Sequence, residues 1–263
     1  MHGMSLPISL QTRQVTAKRN PPATLWWLSL VGLTITLLWD AAGLDQWVMT
    51  QFGSPQGFAL QHNWWLETVL HQWMRHLAWV FLALLALMVW HPLGFFRQVS
   101  RQQRTEMLLG TLLALLLINV IKHDSLISCP WDLRLFGGVA EYRSHWSWGV
   151  SDGGPGRCFP GGHASAALAF LALPLGLLTS QRAADRRIGW WSLTAVLLVG
   201  AVLGAAQTLR GAHFPSHTLW TALLCWTAAL LNHLVWRSIT KNRLKPASIS
   251  PQHRSESLIN PQM

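Results

Sequence analysis

The sequence predicts an all-α fold: a polytopic membrane bundle of six transmembrane helices. Three observations carry that prediction. Charged residues make up only 11% of the 263. The apolar residues fall in long blocks that approach the ~20 needed to cross a bilayer. The Lys and Arg residues are distributed unevenly among the connections between those blocks. A chain of this length reads as one domain with ample material for a core.

The blocks place the spans in order. Residues 1–22 form a basic N-tail with Arg13, Lys18 and Arg19, ending at Pro21-Pro22. No small-residue cleavage site follows the first apolar block, so that block reads as a retained anchor. Span one is expected over 24–42 and span two over 73–90, which closes at His91-Pro92. A basic connection with Arg97, Arg101 and Arg104 leads to span three, over 107–121. Residues 122–162 are the one long polar connection, and its aromatic and Cys content argues for order and function. Span four is expected over 164–179, span five over 188–209 and span six over 218–236. The membrane domain is therefore bounded at 23–237, and 238–263 reads as a polar, disordered tail.

Charge sets the orientation. Fourteen of the twenty Lys and Arg lie in the two tails and the second and fourth connections. Six spans with both termini in the cytoplasm satisfy every segment. The same distribution accounts for the net charge of +10, so nucleic acid is not an expected partner. Seventeen Trp, many at block edges (Trp26, Trp64, Trp90, Trp190, Trp236), fit interfacial anchoring. Together these features fit a bacterial inner membrane, with membrane lipids as surroundings; the oligomeric state is left open.

The candidate site follows from the topology. Lys122 ends span three, His163 opens span four, and Arg210 and His213 lie between spans five and six, all on the extracytoplasmic side. Around His163 the stretch Arg157-Cys-Phe-Pro-Gly161-Gly162-His163 combines a tight turn, a fixed charge and a titratable ring at a helix start. A helix N-terminus presents free N–H groups and favours anions. Two His and several cations there suit phosphoryl transfer: one imidazole attacks phosphorus, the other protonates the departing oxygen, and the cations stabilise the equatorial oxygens. Of the three Cys, Cys225 reads as a buried apolar side chain. Cys129 and Cys158 sit near the two ends of the long connection; a disulfide and two free thiols both remain open.

The residues Lys122-(six residues)-Cys129-Pro130, Pro160-Gly161-Gly162-His163 and His213-Phe-Pro-Ser-His217 resemble the type 2 phosphatidic acid phosphatase superfamily, whose motifs have the form K-x6-RP, PSGH and SR-x5-H-x3-D. The resemblance covers about 107–235. It implies dephosphorylation of, or phosphate transfer from, a lipid phosphate or diphosphate, with no cofactor and no metal. Carried over, His213 would be the nucleophile, His163 the general acid, and Lys122, Gly161 and Gly162 the phosphate ligands, with Arg157 and Arg210 as further cations. Four positions depart: Cys129 and Gln207 stand where the motifs have Arg, Gly161 where they have Ser, and His217 where they have Asp. Arg134 or Arg157, and Arg210, are candidates for the missing cations. Asp124, Asp132, Glu141 or Asp152 is a candidate for the missing carboxylate, with His217 itself as an uncharged partner of the nucleophile. Two rival readings remain: a non-catalytic lipid-phosphate binder, and a metal-dependent enzyme using His213 and His217, which lie four residues apart.

Overall fold

A computed structural model describes residues 23–243. The expected tails 1–22 and 244–263 lie outside the described residues. Helix α1 spans Ala23–Ala41 and is followed by a short helix α2, Leu44–Thr50, and a two-stranded hairpin, β1 Gly53–Ser54 with β2 Gly57–Phe58. A π-helical stretch, Trp65–Trp73, runs directly into α3, Met74–Trp90. Helix α4 covers Arg101–Asp124, with Ser100 and Gln103 forming a reciprocal cap at its start.

After the long connection come α5, Ser165–Leu168, and α6, Ala172–Leu178, joined by a 3-10 turn. Helices α7, Ala183–Leu209, and α8, Pro215–Arg243, complete the chain. Helix therefore continues past residue 237, where a disordered tail was expected to begin.

Among the described residues, five helices are long and apolar enough to cross a membrane. Their outward faces carry Trp26, Leu38, Trp79, Phe81, Leu116, Leu198 and Leu231, each more than half exposed. Such belts are costly in water and natural against lipid. The expected fourth span is the exception: Ser165–Leu178 is a shorter apolar helix. Its 14 residues reach about 21 Å at 1.5 Å per residue, less than the ~30 Å hydrocarbon layer. The sequence explains the break. Pro174 has no N–H for the Phe170 carbonyl, and the backbone tightens to 3-10 at Ala169–Leu171 just before it. This segment is the hub rather than a lipid-facing wall: Ala164, Leu168, Ala169, Leu171, Ala172 and Leu175 are buried against α4, α7 and α8.

The first, third and fifth connections pack together at one end of the bundle. Met49 and Phe58 from the first, Leu133, Phe136 and Ala140 from the third, and Phe214 from the fifth make one apolar cluster. Gly211 sits at its centre with φ 75°, and a side chain there would meet the Phe58 ring at 2.3 Å. Only glycine fits both the turn and the contact. At the opposite end Arg104 is buried, and its guanidinium donates to the carbonyls of Phe96, Val99 and Val89.

Candidate active site

The long connection is ordered by its own carboxylates. Asp152 accepts from the Ser128 N–H at 2.6 Å, the Ser128 hydroxyl at 2.8 Å and the Gly154 N–H at 3.0 Å. Asp40, at the end of α1, accepts from His145, Trp146 and Trp220 at 3.1, 3.0 and 2.9 Å, which ties the connection to α1 and α8. Cys129 and Cys158 form a disulfide. The loop it closes is worth about 3–4 kcal/mol on the chain-entropy account.

These anchors bring the expected histidines together. The His163 and His213 rings are 5.8 Å apart, and those of His213 and His217 are 5.7 Å apart. Lys122 reaches in from the end of α4, its stem so close over Gly162 that a side chain there would meet it at 3.4 Å. A cavity of about 390 Å³ opens beside Lys122 and His163, and His213 and His217 are not among the residues that line it. Lys122, Gly162 and His163 line its polar end, and Ala78, Trp79, Leu82, Leu115 and Phe170 its apolar wall.

Other expectations change. The Gly161 N–H is taken up by the His217 carbonyl at 3.2 Å, so that amide is not free for an anion. Helix α5 is a four-residue turn rather than the start of a long helix. Arg157 is exposed, with φ 57°, and is not among the residues lining the cavity. Arg210 is buried and held by neighbours: Nε donates to the Gln61 carbonyl at 2.9 Å, Nη1 to Gln207 Oε1 at 3.2 Å, and Nη2 lies 3.4 Å from Glu67 Oε2. None of the four loop carboxylates replaces the Asp missing at His217. Asp124 pairs with His123, Asp132 accepts from the Cys129 N–H, Glu141 pairs with Arg134, and Asp152 is committed to the loop.

His213 Nδ1 instead stands 3.3 Å from Cys158 Sγ. A disulfide sulfur carries no proton and can only accept. Donation to that sulfur would put the proton on Nδ1 and leave the lone pair on Nε2, the nitrogen a nucleophile would use. The disulfide also decides the metal question for one donor set. The two sulfurs and a His213 nitrogen lie within 4.8 Å of one another, but paired sulfurs offer no thiolate.

Burial governs the protonation of the site. It is the main cause that holds the His213 imidazole well below the usual histidine range, aided by Lys122, His217 and His163. His163 is pushed down to about 3, first by burial and then by His71, Lys122, Arg210 and Arg75. Both shifts favour the neutral imidazole at pH 7. The Nδ1 atoms of His163 and His217 are buried with no hydrogen-bond partner.

Residues 104–243 match the PAP2 superfamily. The chain belongs to that superfamily. Its members are phosphatases, which supports a phosphoric ester hydrolase here. No curated protein and no solved structure matches the chain.

The matched segment contains Lys122, His163, His213 and His217 but not all of the cavity lining. His71, from the π-helical stretch, sets its ring edge-on to His163 with centroids 3.7 Å apart, and Arg75 lines the same cavity. Sequence reasoning passed over both. The available signal was the spacing Glu67, His71, Arg75, each four residues from the next and so on one helical face. Asp45 was also missed. Buried in α2, it accepts from the Ser216 N–H at 3.0 Å, from the Ser216 hydroxyl and from Trp39 Nε1 at 2.9 Å, and so fixes the start of α8 beside His213 and His217.

Proposed function

We propose that this protein removes, or transfers, a phosphate of a lipid phosphate or diphosphate at the extracytoplasmic face of a bacterial inner membrane, through a phosphohistidine on His213 and without a metal. The observation that carries the reading is the cavity itself. Its polar end, at Lys122, Gly162 and His163, continues into an apolar wall of Leu82, Leu115 and Phe170 between membrane-length helices. That shape suits a phosphate attached to an apolar chain. With Ser165–Leu178 counted as a sixth crossing, the basic segments around Arg97 and Arg186 share one side and the histidines take the other.

In the proposed reaction His213 Nε2 attacks phosphorus as the bond from phosphorus to the lipid oxygen breaks. His163 donates a proton to that oxygen, and Lys122 offsets charge on the phosphoryl oxygens. Water, deprotonated by His163, then cleaves the phosphorus–nitrogen bond and releases phosphate. Because burial and nearby cations favour the neutral His163 imidazole, its proton arrives with the substrate, whose negative charge favours the imidazolium. His213 is only 3% exposed and is not among the residues lining the cavity, whereas His163 is. Attack therefore requires the His163–His71 ring pair to move aside on binding.

That burial, with His217 at the place of the Asp, also favours a second reading, a lipid-phosphate binder without turnover. One assay separates the two. Purified protein and His213→Ala are tested on a panel of lipid phosphates with EDTA present. Turnover by the native protein and a loss of at least ~1,000-fold in His213→Ala is the expected result. Equal rates in both would remove His213 as the nucleophile. Headgroup binding with no turnover would establish the binder, and activity lost to EDTA would return the metal reading.

A further inference from the structure

The PAP2 motifs have two arginines that this chain replaces with Cys129 and Gln207. None of the arginines nearest to those positions fills the gap. Arg134 is exposed and paired with Glu141 at 2.8 Å. Arg157 is absent from the cavity wall. Arg210 is occupied by Gln61, Gln207 and Glu67. Lys122 is thus the one cation that the matched segment brings to the cavity wall.

The chain before that segment supplies another. His71, Arg75, Ala78 and Leu82 all line the cavity, and their spacing of four, three and four residues sets them along one helix face. The π-helical turns Trp65–Trp73 lead into this face, a distortion often found at functional sites. His71 is in ring contact with His163, which places Arg75, the next turn along, beside the expected general acid. Arg75 makes no hydrogen bond and no ion pair among the described residues. Its guanidinium is exposed near the start of the span, on the cavity lining and without a protein partner to hold it away from a ligand.

We propose that Arg75 is the phosphate-binding guanidinium of this enzyme, supplied from outside the PAP2 segment in place of the motif arginines lost at Cys129 and Gln207. The inference rests on the phosphatase reading above. Arg75 and Lys122 both line the cavity and would meet the phosphoryl group there. The planar fork of Arg75 engages two equatorial oxygens while the Lys122 ammonium acts as a point charge. His71 stands between Arg75 and His163 and holds the acid toward the same group.

The test compares native protein with Arg75→Gln, Arg75→Lys and Arg75→Ala, using the lipid phosphates above and orthovanadate as inhibitor. Arg75 is exposed, so these variants should keep the native melting temperature. Arg75→Gln should lose about 100-fold in kcat/KM and bind orthovanadate at least tenfold more weakly. Arg75→Lys should recover part of the loss. Added guanidinium chloride at millimolar concentration should restore Arg75→Ala with saturation and leave His213→Ala unchanged. Arg75→Gln within twofold of native in both readouts would overturn the proposal, as would a folded, inactive Arg75→Ala that guanidinium fails to rescue. If native protein turns over no lipid, the phosphatase reading fails by itself. Calorimetric binding of inorganic phosphate then decides Arg75: tenfold weakening in Arg75→Gln supports it, and unchanged binding overturns it.

Discussion

At the residue scale, the site is defined by buried histidines beside the Lys122 ammonium. Burial and nearby cations both work against imidazolium, and no carboxylate among the described residues contacts His213 to offset them. Two outcomes follow. First, binding of inorganic phosphate near pH 7 should take up a proton, because the anion raises the affinity of His163 for it. Titration calorimetry in buffers of different ionisation enthalpy measures this directly; a heat independent of buffer would contradict it. Second, the folded protein should lose stability as acid is added. Unfolded histidines titrate near 6.5, whereas His163 is held down to about 3. Between those values the unfolded state binds more protons, so stability rises with pH and falls as pH drops below about 6.5. Each such histidine contributes up to about 1.4 kcal/mol per pH unit. Melting temperature in detergent should therefore decline from pH 7 to pH 5, and less steeply in His163→Gln.

At the element scale, helix ends and turns decide where the side chains point. Asp45 fixes the first turn of α8 by accepting from both the Ser216 amide and hydroxyl. Asp45→Ala should cost about 1–3 kcal/mol, since it leaves a buried amide unpaired. It should also lower activity, because His213 and His217 flank that turn. The disulfide works in the same way on the long connection. Reduction, or Cys158→Ser, should lower the thermal stability and reduce kcat about tenfold, since His213 Nδ1 loses a fixed neighbour. Unchanged kinetics in fully reduced protein would limit the bond to a structural role. The Lys122, His163 and His213 elements were legible in the sequence because each lies at a span end beside Pro, Gly or His. The α3 contribution was not legible: Arg75 sits two residues inside an apolar block and resembles an interfacial snorkelling residue until its neighbours are known.

At the scale of the whole molecule, the matched segment is not self-sufficient. His71, Arg75 and Asp45 all come from the chain before residue 104; the first two line the cavity and the third fixes the start of α8. A fragment of residues 104–263 should be inactive, and co-expression with residues 1–98 should restore activity. Membrane orientation has its own check. A periplasmic reporter fused after Trp146 should be active, and a cytoplasmic result would overturn the placement of the site.

The sequence by itself determined the membrane class, five of the expected helices to within a few residues at most ends, and the family. Each rests on local information: apolar block length, charge distribution, and short motifs whose spacing survives in the chain. Tertiary structure decided the rest. It shortened the fourth expected span to a buried hub, because a proline break matters less where neighbours, not lipid, surround the helix. It withdrew Gly161, Arg157 and Arg210 from the cavity by giving the first and last other partners and leaving Arg157 outside. It put a disulfide sulfur at His213 Nδ1, and His71 and Arg75 on the cavity that Lys122 and His163 line. Those pairings join residues far apart in the chain, and no local pattern encodes which ionisable groups three packed connections will bring into contact.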